Sequence, residues 1–171
     1  MMDVYANLRL ISALVALIIT GCFSIGPAND ASFPEVLKKS FPTNTETALI
    51  YGRATWYSRT NGFDFLYRGR QRGDPENGLV VLFETNLQLL RWNAKQERYD
   101  SVHRLDYADL IDVRLDEEGV ACVIVMEFSK GEFNTFSFMS SGGMTYNRGR
   151  TMNGFEILKE RLQPRENRSG S

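Results

Sequence analysis

The side chains able to do chemistry in this 171-residue chain are few and scattered. Its one histidine, His103, lies in Ser101-Val-His-Arg-Leu105, with Ser101 two residues away on the same side of a strand. A hydrolytic base also needs an orienting carboxylate and an oxyanion hole, and no nucleophile-elbow glycines flank Ser101. His103 is therefore expected at the surface. Acidic residues gather at Asp100, Asp106, Asp109, Asp112, Asp116, Glu117 and Glu118. A calcium loop needs oxygen ligands converging around a sharp glycine turn, and no glycine lies between Asp106 and Asp112. Strand alternation also puts Asp106 and Asp109 on opposite sides. They read as solvated edge charges, which discourage edge-to-edge pairing. Basic residues gather at Arg53, Arg59, Arg68, Arg70 and Arg72, and again at Arg148 and Arg150. Guanidinium forks suit phosphate groups, and Gly69, Gly73 and Gly149 let backbone approach an anion closely. These arginines are a candidate anion-binding set; the alternative is a solvated face.

Composition excludes several classes of function. Net charge is −1, from 20 basic and 21 acidic side chains, so the basic excess of a general nucleic-acid binder is missing. With 43% hydrophobic and 24% charged residues, the chain is neither wholly disordered nor a multi-span membrane protein. Two cysteines and one histidine supply too little for a disulfide scaffold or a metal site, and no cofactor is expected.

The N-terminal residues point to an address. Arg9 precedes an almost unbroken apolar run from Leu10 to Ile19. As a helix that run rises roughly 15 Å, about half the hydrocarbon thickness of a bilayer. The length suits a signal peptide. The following Ile19-Thr20-Gly21-Cys22 resembles the lipobox of bacterial lipoproteins. That resemblance implies cleavage before Cys22, a thioether-linked diacylglycerol on its sulfur, and acyl chains that hold the mature protein to a membrane. An uncleaved anchor, or an ordinary signal peptide, is the other reading. Phe23 stands where an aspartate favours inner-membrane retention in enterobacterial lipoproteins, so the resemblance implies the outer membrane, facing the periplasm. If Cys22 is acylated, Cys122 is the remaining thiol. Its apolar surroundings, Val120 to Met126, predict a buried, unreactive side chain.

The elements that must position these residues follow from pattern. Residues 1–21 read as the lipoprotein signal peptide and 22–47 as a tether rich in Pro, Asn, Ser and Thr. A candidate short helix interrupts the tether, with Ser32 as cap, Pro34 in the first turn and Val36, Leu37 and Phe41 on one side. Strand patterns then occupy 48–58, 63–67, 79–83, 87–92, 99–105, 110–115, 120–128 and 133–138, with Asn61-Gly62, Thr85-Asn86 and Lys130-Gly131 at turns. Residues 68–77 read as a loop. Phe155, Leu158 and Leu162 mark a closing helix, capped by Asn153 with Glu156 and stopped by Pro164. Residues 164–171 read as a disordered polar tail. Seven or eight short strands predict a mainly β fold, a sandwich or partly open barrel.

The stretch Gly78-Leu-Val-Val-Leu-Phe-Glu-Thr-Asn-Leu-Gln-Leu-Leu90 resembles a hairpin of GRAM and bacterial PH-like domains. Leu105-Asp-Tyr-Ala-Asp-Leu-Ile-Asp-Val113 resembles the element that follows it, with Asp106 where the pattern has proline. The likeness spans about residues 48–162 and implies one bent antiparallel sheet of about seven strands capped by a C-terminal helix. It implies a binding module for lipid head groups, peptides or proteins, and rarely an enzyme. The expectation is a lipid-anchored, non-catalytic module that holds an envelope protein or peptide, through a sheet edge or the 143–150 loop with Met144 and Tyr146 at its tip. The alternatives are a carrier of lipid or another apolar ligand, and head-group binding through the Arg53 to Arg72 region.

Overall fold

The computed structural model describes residues 25–28, 31–42, 46–59, 75–118, 121–129, 132–140 and 145–162. The signal segment 1–21, Cys22, the strand expected at 63–67 with its Asn61-Gly62 turn, Arg68, Arg70, Arg72, Met144 and the tail 164–171 lie outside these residues, as does the side chain of Arg59.

Seven strands among the described residues form one antiparallel sheet. They are β1 (Ile50–Arg59), β2 (Glu76–Leu82), β3 (Asn86–Asn93), β4 (Arg98–Asp106), β5 (Leu110–Glu118), β6 (Ala121–Phe128) and β7 (Phe133–Phe138), with a 3-10 turn (Tyr107–Asp109) between β4 and β5. Their order is β4-β3-β2-β1-β7-β6-β5. The sequential neighbours β1–β2, β2–β3, β3–β4, β5–β6 and β6–β7 pair antiparallel; the long-range pair is β1 with β7, where Ala54 opposes Phe138 and Trp56 opposes Phe136. The two edges, β4 and β5, are consecutive in the chain but share no ladder, so the sheet is open between them. Register shifts at Leu89/Leu90 and at Leu110/Asp112 bend the strands there. The expected mainly β fold, one bent open sheet of seven strands with a C-terminal helix, is the fold observed.

The bend gives the sheet two differently covered faces. The inner face carries Ala54, Trp56, Val80, Leu82, Leu87, Leu89, Ile124, Met126, Phe136 and Phe138, one continuous core. The outer face of β2–β4 carries Leu79, Val81, Phe83, Leu90 and Tyr99, a second core. This explains why 79–83 is apolar without alternation: both faces of β2 are covered. On β3 ordinary alternation sends Leu87 and Leu89 inward and Leu90 outward, and both faces are again covered.

The outer cover is α1 (Phe33–Ser40), the short helix expected to interrupt residues 22–47. Phe33 is 1% exposed and packs its ring 4.1 Å from that of Tyr51. Ser32 takes the cap position but its side chain makes no capping bond; Pro34 sits in the first turn as expected. At the other end the Ser40 hydroxyl accepts the Tyr99 amide at 2.8 Å, tying α1 to edge strand β4. An eight-residue helix has little stability of its own, so this packing is what forms it.

The closing helix α2 (Arg148–Arg161) has its cap six residues earlier than expected. Asn147, not Asn153, is the N-cap, its side-chain oxygen accepting the Arg150 amide at 3.0 Å. Thr151, Gly154 and Leu158 form the buried stripe, with Phe155 and Leu162 partly buried beside it. Gly154 permits the close approach, since a Cβ there would lie 3.0 Å from the Phe138 ring. The Thr151 hydroxyl accepts the Phe138 amide at 3.1 Å, a polar pin from helix to β7.

Candidate functional site

One polar cluster sits on the buried indole of Trp56. The imidazole of His103 stacks over that indole, with centroids 5.9 Å apart, and Phe136 stacks near it at 5.6 Å. Trp56 Nε1 donates to Ser58 Oγ at 3.0 Å. His103 Nε2 lies 2.6 Å from Glu76 Oε1 and 3.4 Å from Ser58 Oγ, and Glu76 Oε2 lies 3.5 Å from Arg91. Serine, histidine and a carboxylate thus meet, but through one ring nitrogen. A hydrolytic triad needs one nitrogen on the nucleophile and the other on the carboxylate. When Nε2 carries the proton it is given to Glu76 and cannot also receive one from Ser58. The geometry is that of a clamp joining β1, β2, β3 and β4. His103 is half-buried rather than freely solvated, and Ser101 contacts only its backbone carbonyl, at 3.5 Å. Sequence reading missed Ser58 and Glu76 because each lies on a different strand from His103.

The arginines expected to form an anion site are divided. Arg53 lies on the outer face beside Leu79, Leu90 and Trp92. Arg150 crosses the inner side of β1, where a Cβ on Gly52 would meet its guanidinium at 2.8 Å. Arg148 pairs with Glu117 at 2.8 Å. The sheet therefore separates Arg53 from Arg150. Tyr146 is 42% exposed and Met152, in the first turns of α2, is 37% exposed. Tyr146 is held by an isolated bridge to Met139.

The acidic residues lie along the edge strands. Asp106, Asp109 and Asp112 are exposed, and Asp106 pairs with Arg104 at 3.2 Å. No three of the described His, Cys, Asp and Glu residues converge on a metal-sized site. A hydrogen bond from Asn93, with Arg98 alongside, holds the Asp100 carboxyl below its usual range against the opposing effect of burial. Cys122 is buried, and burial, aided by the Glu117 carboxylate and opposed by Arg148, pushes its thiol up, away from the reactive thiolate. Burial likewise pushes the Tyr107 phenol far up, while its hydroxyl donates to the Phe83 carbonyl at 3.2 Å.

Glu46 closes the β2–β3 turn from outside the strands. Its carboxylate accepts from the Thr85 amide at 3.2 Å, the Thr85 hydroxyl at 2.6 Å and Asn86 Nδ2 at 3.1 Å. Asn86 is fully buried and in turn accepts from Gln88. Glu46→Ala removes the carboxylate that accepts from Thr85 and Asn86, leaving Asn86 Nδ2 only its 3.2 Å bond to the Thr85 hydroxyl, and is expected to cost about 1–3 kcal/mol in urea denaturation. A change within about 0.5 kcal/mol, typical of an ordinary surface position, would contradict this.

Two cavities among the described residues lie on the outer face. One of about 430 Å³ is lined by Phe33, Leu37, Phe41, Ala48, Tyr51 and Phe83 between α1 and the sheet. The other, about 150 Å³, is lined by Ile25, Arg53, Leu79, Leu90, Arg91, Trp92 and Ala94. Neither was legible in the sequence, because each depends on the packing of residues 25–42.

This architecture is a PH-like fold. Solved structures share it. A structure of Vav1 held by an allosteric inhibitor matches at TM-score 0.50 with 11% identity, over 81% of this chain and 34% of Vav1's. A structure of the Vav1 exchange factor addressing the role of its PH and C1 domains matches at 0.50 and 11%, over 95% and 41%. Human RhoA in complex with the DH/PH fragment of PDZRhoGEF matches at 0.49 and 14%, over 73% and 31%. This chain thus spans less than half of each of those chains, and at 11% identity the likeness to the Vav1 structures is one of fold alone. No protein-family model and no curated protein matches the sequence.

Proposed function

We propose that this chain is a lipid-anchored bacterial envelope protein whose PH-like module binds a protein or peptide partner without catalysis. The observation that carries the binding reading is the filled interior. Trp56, Ile124, Phe136, Phe138 and Leu158 are all fully buried in one core, so a ligand must be met on the surface. Arg53 and Arg150 lie on opposite faces and do not form one head-group site. The surfaces on offer are the open β5 edge, suited to strand addition, and Tyr146 with Met152 beside α2. Cys22 is the anchor residue, and the periplasmic side of the outer membrane is the address.

Anchoring is tested by fractionation and intact mass. The parent protein is expected in membranes, cleaved before Cys22 and carrying acyl chains, each buried methylene contributing about 0.8 kcal/mol. Cys22→Ser is expected uncleaved and without acyl chains; processing and partitioning identical to the parent would overturn the reading. Binding is tested by photo-crosslinking in intact cells from position 112 on β5 and position 146. One recurrent partner from either position is expected, and adducts from neither would overturn it.

A further inference from the structure

We infer that the outer-face surface around Ile25, formed with the β3–β4 hairpin tip, is held directly against the bilayer. This rests on the proposed acylation of Cys22 and specifies how the anchored domain is oriented. Ile25 is built into the fold. Its carbonyl accepts the Tyr99 hydroxyl at 2.8 Å, and its side chain packs on the outer-face core. The next residue, Gly26, has φ +64°, and its Cα lies against Trp92 so closely that a Cβ would meet the indole at 2.5 Å. Trp92 in turn packs edge-on against Tyr99, centroids 5.0 Å apart. Ile25 is therefore already part of the folded domain. Cys22 is three residues upstream, and three residues span at most about 11 Å even when fully extended. Acyl chains on Cys22 sit below the head groups, so Ile25 and its surroundings cannot stand far above them.

Those surroundings are Arg53, Arg91, Trp92 and the exposed turn residues Ala94 and Lys95. An indole beside cations suits an interfacial position. Charge alone does not set the orientation. Arg91 lies 3.5 Å from Glu76, Arg98 lies 3.0 Å from Asp100, and Glu97 stands in the same turn. The near balance makes the covalent anchor dominant, so the contact persists in salt, unlike head-group recognition by an arginine cluster. Helix α2 packs against β5–β7 and feeds the inner core, on the other side of the sheet from Ile25.

The test uses the full mature protein with its native acylation, reconstituted in phosphatidylethanolamine–phosphatidylglycerol vesicles. A fluorophore is placed on Ala94→Cys or on Glu156→Cys, both exposed positions, and quenching by head-group nitroxide lipid is read. Cys122 is buried and does not compete for label. Quenching is expected several-fold stronger at position 94 than at 156, and unchanged at about 0.5 M salt, where the Debye length falls below about 5 Å. A spacer of about twelve Gly/Ser residues between Ser24 and Ile25, with a mean reach of about 20 Å, is expected to keep the protein on vesicles but abolish the difference. Equal quenching at the two positions of a protein whose mass includes acyl chains overturns the orientation alone. A mass without acyl chains overturns the anchoring reading, and the orientation with it.

Discussion

Trp56→Ala is expected to lower the free energy of unfolding by about 3–5 kcal/mol. Trp56 is fully buried between the stacked rings of His103 and Phe136, at the strand pair that joins the two halves of the sheet. Two effects contribute and their sizes differ. The hydrogen bond from Nε1 to Ser58 contributes about 1 kcal/mol net. Removing the ring forfeits its apolar transfer energy and leaves a cavity that the β1–β7 ladder cannot collapse to fill, so packing dominates. Trp56→Phe, which keeps an aromatic ring and loses the donor, is therefore expected to retain most of the stability. Urea denaturation of the two variants separates the effects. Equal losses would mean that the bond, not the ring, holds the clamp. A loss of this size in a domain of about this length lowers the melting temperature by roughly 10–20 °C.

Phe33→Ala is expected to have an effect of similar size but different reach. The Phe33 ring is wedged 4.1 Å from Tyr51 and 5.9 Å from Tyr99, and its truncation removes about 3–5 kcal/mol from the outer-face core. That core is separate from the inner one. The loss should therefore appear first as local unfolding of α1. Hydrogen exchange is expected to accelerate at the α1 amides and at the Tyr99 amide, which Ser40 holds, while β6 and β7 stay protected. Acceleration of β6 and β7 to the same degree would mean that the two cores melt as one unit.

Much of the sheet was readable from residue pattern. The strands at 87–92, 99–105 and 133–138 lie within one residue of their observed bounds, because turn signals such as Thr85-Asn86 sit at hairpins and hairpins are local. The unbroken apolar run at 79–83 also carried a signal that went unused: a strand buried on both faces demands a second cover, and the nearest apolar stripe outside the sheet was Phe33 and Leu37. The short helix there was expected from Ser32, Pro34 and the apolar side of Val36, Leu37 and Phe41, but not its docking on the sheet. The misplaced cap of α2 has a similar origin. Asn153 and Asn147 are both acceptable caps by type, and the choice was made by Thr151 pinning the Phe138 amide, a contact across the chain that composition does not encode.

By itself the sequence determined the strand order in the chain, the buried character of Cys122, the absence of a strong basic excess and the apolar run that precedes Thr20-Gly21-Cys22. These depend on local periodicity, turn chemistry and counting. Only the tertiary structure decided that β1 closes on β7, that Ser58 and Glu76 converge on His103, that Arg53 and Arg150 end on opposite faces, and that Ile25 is already part of the folded domain. Each of these joins residues distant in the chain or sets one strand's face against another's. A bend, or a register shift of one residue, reassigns the faces without changing any local pattern.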